Sequence, residues 1–325
     1  MLEFTKSNIR MWSRLGECAV FGLAVTDVSG ERSNIVALTA DLCSLSCLDK
    51  FKNSYPDRFF NFGIAEQNMI AAAAGFAKEG FIPFASAQGT FASMRSADQV
   101  RVNMGYMNLG IKLVGLASGF SLGSFGPTHM GLEDIAVMRA VPNITVISPA
   151  DCTATVKAVY AAASNTVPIY IRLTGTMNDP VVYNEDFNFE IGKAVTLRSG
   201  SDISIIACGS MVYNSLKAAD ILQEKGISVS VIDMHTIKPL DEQTLDKACG
   251  AKLVVTVEEH SIYGGLGEAV VHCLSRRELS PRQLIIGVED FYPHANEYDN
   301  LIVECGLSSE QIAKKIFDAF SKITK

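Results

Sequence analysis

One carboxylate stands among neighbours of the wrong polarity for an ordinary surface residue. Glu66 lies in FGIAEQNM, Phe62–Met69, between apolar Ile64–Ala65 and an Ala- and Met-rich stretch. A carboxylate so placed is either desolvated or paired with a bound base. A surface glutamate at a helix start is the plain alternative. Downstream comes Gly89-Thr90-Phe91, then Arg95, then Asp98-Gln99-Val100-Arg101, then His129 within GPTH. An imidazole can exchange protons near neutral pH, although an isolated histidine is more often structural. Phe91 offers a flat apolar face to a planar ligand, or is an ordinary core residue. In VEEHSIYGGLGEAV, His260 reads as structural or at a domain interface. The glycines of that segment precede a helix, a weak phosphate-loop signal. Cys43 and Cys47 lack the partners of a zinc site, and no metal ligand set is assigned.

These residues must be positioned by elements of alternating type. Ile35–Thr39 reads as a buried strand with Asp41 at its end. Glu66–Lys78 reads as a helix, Gly80–Phe84 as a short strand, Ala97–Met104 as a helix and Lys112–Leu116 as a strand. Leu132–Ala140 is predicted helical, Thr145–Ser148 a strand, Cys152–Ala163 a helix and Pro168–Leu173 a strand. Asp179–Phe189 breaks the pattern with Pro, Asn and acidic residues and is read as a linker. A second alternation follows: strand Ile203–Cys208, helix Met211–Lys225, strands Ser228–Asp233 and Leu253–Val257, helix Gly264–Arg276, strand Leu284–Val288, and helix Ser308–Phe320 with a Ser cap. The pattern predicts an α/β chain of two domains, residues 1–180 and a smaller one over 190–325, each built on a mostly parallel sheet.

Bulk properties agree with two such cores. The chain has 325 residues, 48% of them hydrophobic and 19% charged. Net charge is −7 with no long basic run, which argues against a nucleic-acid partner. The longest apolar run, from Met69, meets Lys78 and Glu79 too soon to span a membrane, so no membrane partner is expected. The eight cysteines are scattered as in a reducing compartment, and the N-terminus shows no leader pattern. A cytoplasmic location is the expectation.

The ordered set FGIAEQNM, GTF, GPTHMGLEDIAVMRAVPNITVISPAD (Gly126–Asp151), TIKPLD (Thr236–Asp241) and VTVEEHSIYGGLGEAV (Val255–Val270) resembles the transketolase family over essentially the whole chain. Deoxyxylulose-phosphate synthase and the β subunit of 2-oxoacid dehydrogenases share that fold. GPTH…LEDIAVMRAVPN and TIKPLD look more like transketolase proper. The resemblance implies thiamine diphosphate as cofactor. Glu66 matches the glutamate that hydrogen-bonds a ring nitrogen of the aminopyrimidine and so promotes proton removal from the thiazolium carbon. Phe91 matches the aromatic residue that stacks on that ring. Asp41 matches a strand-end residue near it, and His129 an active-site histidine acting on the donor ketose. Gln88 and Met94 stand where aromatic residues often surround the pyrimidine.

Two departures qualify the match. The family's diphosphate site holds a divalent metal, Mg2+, through Gly-Asp-Gly followed further on by an Asn, and this sequence has no Gly-Asp-Gly. The resemblance therefore implies a partner: an N-terminal diphosphate-binding subunit carrying the metal ligands, in an α2β2 assembly. The second departure is in the substrate pocket. The resemblance puts the positions that hold sugar phosphates at Trp12, Leu45, Ala117 and Gly175, and the one that reads a substrate hydroxyl at Phe125, all apolar or small; Arg10, Arg14 and Arg172 lie nearby in sequence. An Arg–phosphate fork has no substitute in Trp, Phe or Ala. The expectation is ketol (glycolyl) transfer from a small ketose donor to a non-standard acceptor in biosynthesis, such as a lipoyl group or a thioester on an acyl carrier protein. The alternatives are an ordinary pentose-phosphate transketolase subunit, and a non-catalytic regulatory or scaffold subunit.

Overall fold

The computed structural model describes residues 1–277 and 280–324. It holds two sheets. The first has the order β10-β5-β6-β4-β3-β1-β2. Its parallel members are β1 (Ile35–Thr39), β2 (Phe59–Asn61), β3 (Ile82–Gln88), β4 (Lys112–Leu116), β5 (Thr145–Ile147) and β6 (Ile169–Arg172). Its edge is β10 (Thr236–Lys238), antiparallel to β5 and supplied by the second half of the chain. The second sheet runs β12-β11-β8-β9-β7, with β7 (Val195–Arg198) antiparallel to β9 (Val229–Asp233). Parallel to one another are β8 (Ile203–Ala207), β9, β11 (Leu253–Ser261) and β12 (Arg282–Val288). The two-domain α/β class read from the alternation is the one observed.

Local sequence explains the elements that matter for the site. Helix Glu66–Lys78 buries Met69, Ile70, Ala73 and Ala74 as one stripe. Helix Cys152–Ala163 starts at Asp151, whose Oδ1 accepts from Ala154 N at 2.8 Å. Helix Ser309–Ile323 starts at Ser308 in a capping box with Gln311. Helices Lys6–Leu15 and Glu17–Glu31 have no counterpart in the sequence reading. The second packs against Cys152–Ala163 and is apolar around most of its circumference, so no polar stripe marks it as a helix.

Three differences from expectation bear on the site and the join between the halves. β3 runs to Gln88, not Phe84, because Ser86 and Gln88 are buried polar residues at the carboxyl end of a central strand. The helix expected over Ala97–Met104 is a short α-turn, Ala97–Gln99, between two π-type turns, Phe91–Arg95 and Val100–Tyr106. The Asp179–Phe189 stretch has no regular element yet is firmly held. Asp151 Oδ2 accepts from Val182 N and Tyr183 N, both 2.8 Å; the Tyr183 hydroxyl donates to Asp233 at 2.7 Å, and its ring stacks on Phe187 at 3.6 Å.

The two halves share a core. One apolar cluster runs from Val36, Leu38 and Met69 to Met234, Ile237 and Leu266. Beneath it lies a buried ionic hub. Arg172 Nε meets both Asp134 oxygens, at 3.0 and 2.9 Å, while Nη2 donates to Gly131 O at 2.9 Å and Glu259 O at 2.8 Å. Among the described residues, no helix is long and apolar enough to cross a membrane.

Candidate active site

β1, β3 and β4 are parallel, so their carboxyl ends, and the residues after them, fall on one side of the sheet, where ligands bind in open α/β folds. Asp41 follows β1 in the left-handed region, φ 62°. Its Oδ1 accepts from Asn61 Nδ2 at 3.0 Å, and Asn61 Oδ1 accepts from Asp41 N and Gly63 N. Asp41 thus pins the loop that leads from β2 into Glu66. That glutamate is the first residue of its helix and only 3% exposed, where the unpaired N–H groups of the first turn favour a carboxylate.

The side chains around Glu66 form a connected set. Arg95 Nη1 donates to both Glu66 oxygens, at 3.1 and 3.2 Å. The Arg95 guanidinium lies 4.0 Å over the Phe91 ring. Phe91 meets His129 edge-on at 5.6 Å, and Phe125 lies 5.4 Å from the same imidazole. Gln88 Nε2 donates to the His129 carbonyl at 2.8 Å, and Thr128 Oγ1 pairs with His129 Nδ1 at 2.9 Å. Gln88 is therefore a support for the His129 loop. Met94 is 52% exposed on the same turn as Phe91. Arg95 stood in the sequence without a role, and its signal was its place one helical turn after Phe91.

The substrate-pocket expectations divide. Phe125 is 64% exposed beside His129. Trp12 is fully buried, edge-on to Phe4 at 5.4 Å, because with Ile9 it forms the inward stripe of helix Lys6–Leu15; it is a core residue, not a pocket wall. Leu45 is half-buried and packs on the same cluster. Ala117 is buried at the end of β4 with φ 48°, so it offers backbone and little side chain. Gly175 has φ 72°, and a Cβ there would lie 2.6 Å from Asp179 Oδ1, so that position has no room for a side chain. Arg172 is committed to Asp134 and only 1% exposed, so it is not free for a phosphate.

The second half contributes support. Glu259, buried under the His129 loop, accepts from Phe120 N and the Tyr298 hydroxyl, both at 2.6 Å, and from the Ser210 hydroxyl. Burial pushes its carboxyl up, against the pull of Arg172 and those donors. Glu258 fills the glycine-rich helix start: its oxygens accept from Leu266 N at 2.6 Å and Gly267 N at 2.7 Å. A side-chain carboxylate thus occupies the anion position that the glycines offered to a phosphate. His260 is fully buried, its Nε2 facing Ala136 N at 3.4 Å, and burial lowers its pKa to about 4. It is an interface residue.

Comparison with known proteins gives the family. The family model for the transketolase pyrimidine-binding domain matches residues 18–177, and that for the transketolase C-terminal domain matches residues 192–312. A putative transketolase C-terminal section of Methanocaldococcus jannaschii is 40% identical over 93% of this chain and 95% of its own length. One of the subunits of an apulose-4-phosphate transketolase from Phocaeicola vulgatus is 36% identical over 91% of this chain and 95% of its own. A split-gene transketolase solved as an inactive beta4 tetramer superposes with a TM-score of 0.85 at 35% identity, covering 94% of this chain and 98% of that one. This chain belongs to the transketolase family and carries its pyrimidine-binding and C-terminal domains.

Proposed function

We propose that this chain is the pyrimidine-binding subunit of a thiamine-diphosphate-dependent enzyme that transfers a two-carbon ketol unit. The observation that carries the reading is the buried Glu66 carboxylate, joined through Arg95 to the Phe91 ring that meets His129, past the carboxyl ends of the interior strands β1, β3 and β4. These residues fit an aminopyrimidine: a carboxylate for a ring nitrogen and an aromatic face for the ring plane. When bound, the cofactor supplies the carbon centre that accepts the two-carbon unit. Glu66 holds and moves a proton at the ring nitrogen. Phe91 orients the ring. His129 exchanges protons with a ketose hydroxyl, and because Thr128 engages Nδ1, Nε2 is the reacting atom. A scaffold subunit would have no use for this combination.

The other half of the cofactor site belongs, in this proposal, to a diphosphate-binding subunit with Mg2+ ligands. Two observations support a partner. Relatives matched over nearly their whole length are themselves sections or subunits of transketolases. The cleft of about 550 Å3 lined by Thr176, Asp179, Ser210 and Tyr298 also includes none of Glu66, Phe91 and His129. An α2β2 assembly in the cytoplasm is the form proposed.

The acceptor is the finer point. A carrier-bound thioester or lipoyl group now rests on Phe125 alone, which presents an apolar wall beside His129. A phosphorylated sugar is the second reading, favoured by the relative named for apulose 4-phosphate. Comparing kcat/KM for a phosphorylated ketose and its unphosphorylated counterpart separates them. A preference for the phosphate on the order of 100-fold, about 2.7 kcal/mol, would favour the second. The ketol-transfer reading itself is tested by Glu66→Gln in the two-subunit enzyme. It keeps the shape and loses the acid, so turnover should fall by roughly two orders of magnitude with the assembly intact. Activity within a few-fold of the parent would refute the role of Glu66.

A further inference from the structure

Arg95 occupies both anchor points that the proposed function gives to the aminopyrimidine. Its Nη1 bonds both oxygens of Glu66, at 3.1 and 3.2 Å. Its guanidinium carbon lies 4.0 Å from the centroid of the Phe91 ring. A guanidinium is planar, carries N–H donors in its plane and stacks on aromatic faces. Those are the properties required of a ring that bonds Glu66 through a nitrogen and stacks on Phe91. One side chain and one ligand ring cannot hold the same carboxylate edge and the same aromatic face together.

We propose that Arg95 is a placeholder for the aminopyrimidine, and that cofactor binding requires its displacement from Glu66 and Phe91. The proposal rests on the cofactor reading given above. Three features of the site fit a side chain that comes and goes. Glu66 is 3% exposed, so without a ligand its carboxylate needs a partner, and Arg95 supplies one. Arg95 itself is 45% exposed, so its guanidinium has solvent to move into. The turn that carries both Phe91 and Arg95 is π-type, a rare geometry that is frequent at functional sites. Displacement would then act as a competition. The apparent affinity for the cofactor is the intrinsic affinity reduced by the fraction of molecules in which the site is open.

The test is thiamine diphosphate binding, measured by calorimetry on the full chain together with its diphosphate-binding subunit. Parent, Arg95→Met and Arg95→Lys are compared. Methionine keeps the stem and removes both the charge and the planar donors, so cofactor binding should tighten, by roughly ten-fold if about one site in ten is open in the parent. Lysine retains the ion pair with Glu66 but not the stack, and should fall between the two. As a second readout, the Arg95 guanidinium NMR signals of the parent should shift and sharpen when thiamine diphosphate is added. Binding by Arg95→Met equal to or weaker than the parent, together with unmoved guanidinium signals, overturns the placeholder while leaving the cofactor site standing. Absence of binding by the parent assembly overturns the cofactor reading and the placeholder with it.

Discussion

Removing Arg172 should cost the protein a large part of its stability and loosen the loop that carries His129. Arg172 is 1% exposed and makes four bonds: two to Asp134, one to the Gly131 carbonyl and one to the Glu259 carbonyl. Gly131 lies two residues from His129, and Glu259 belongs to the second sheet, so the guanidinium ties the His129 loop to the other domain. In Arg172→Met the stem and much of the volume remain. Asp134 keeps the Tyr170 hydroxyl at 2.7 Å but loses its counter-charge, and both carbonyls lose a donor. Breaking a buried pair from one side costs about 3–5 kcal/mol; the Gly131 carbonyl keeps the Gly119 amide at 2.9 Å, so the Glu259 carbonyl is the one left to add to that loss. The double variant Arg172→Met/Asp134→Leu removes the stranded charge as well and should recover at least about 2 kcal/mol of that loss. Urea unfolding followed by fluorescence reads this directly. Trp12 is the single tryptophan and fully buried, so it reports on the first domain. Circular dichroism in parallel shows whether both domains unfold together. A loss under about 1 kcal/mol in the single variant, or no recovery in the double, would refute the hub as described.

Two further outcomes follow from buried groups away from the chemistry. Burial pushes the Asp233 carboxyl up to about 8, against the hydrogen bond from Tyr183. The fold therefore keeps that proton to higher pH than the unfolded chain does, and the resulting stabilisation is complete below the unfolded carboxylate pKa and lost as pH rises through about 8. Asp233→Asn should gain on the parent across that window, by at most about 1.4 kcal/mol per pH unit; a variant–parent gap that does not change with pH would contradict it. Gly175→Arg, the obvious way to restore a phosphate ligand, should instead destabilise the chain, because φ is 72° and Asp179 fills the Cβ position. The left-handed backbone alone costs roughly 1–2 kcal/mol for a side chain. A thermal midpoint equal to the parent's would show that the loop can rearrange.

Much of the fold was legible because strands such as Ile35–Thr39 and Lys112–Leu116, and helices such as Glu66–Lys78 and Cys152–Ala163, carry clear patterns and stops. Helix Glu17–Glu31 was not, because a helix buried on most sides has no polar stripe. The end of β3 was hidden by buried Ser86 and Gln88, whose side chains bond the Leu38 and His129 carbonyls. At the site, Glu66, Phe91 and His129 were nameable from their segments, and the structure brings them together. Trp12 and Gly175 were misplaced for one reason: matching a position along the chain does not tell which way its side chain points. Trp12 turns into the core, and Gly175 has no room to project a side chain. Arg95 was visible but unassigned, since only three dimensions show it lying on Phe91 and against Glu66 at once.

The most direct measurement is cofactor binding and ketol transfer by the purified chain, alone and mixed with the diphosphate-binding subunit. Calorimetry with thiamine diphosphate and Mg2+ should give weak binding for the chain alone, with no ketol transfer, and both tight binding and turnover on mixing. Tight, magnesium-dependent binding by this polypeptide alone would contradict the account.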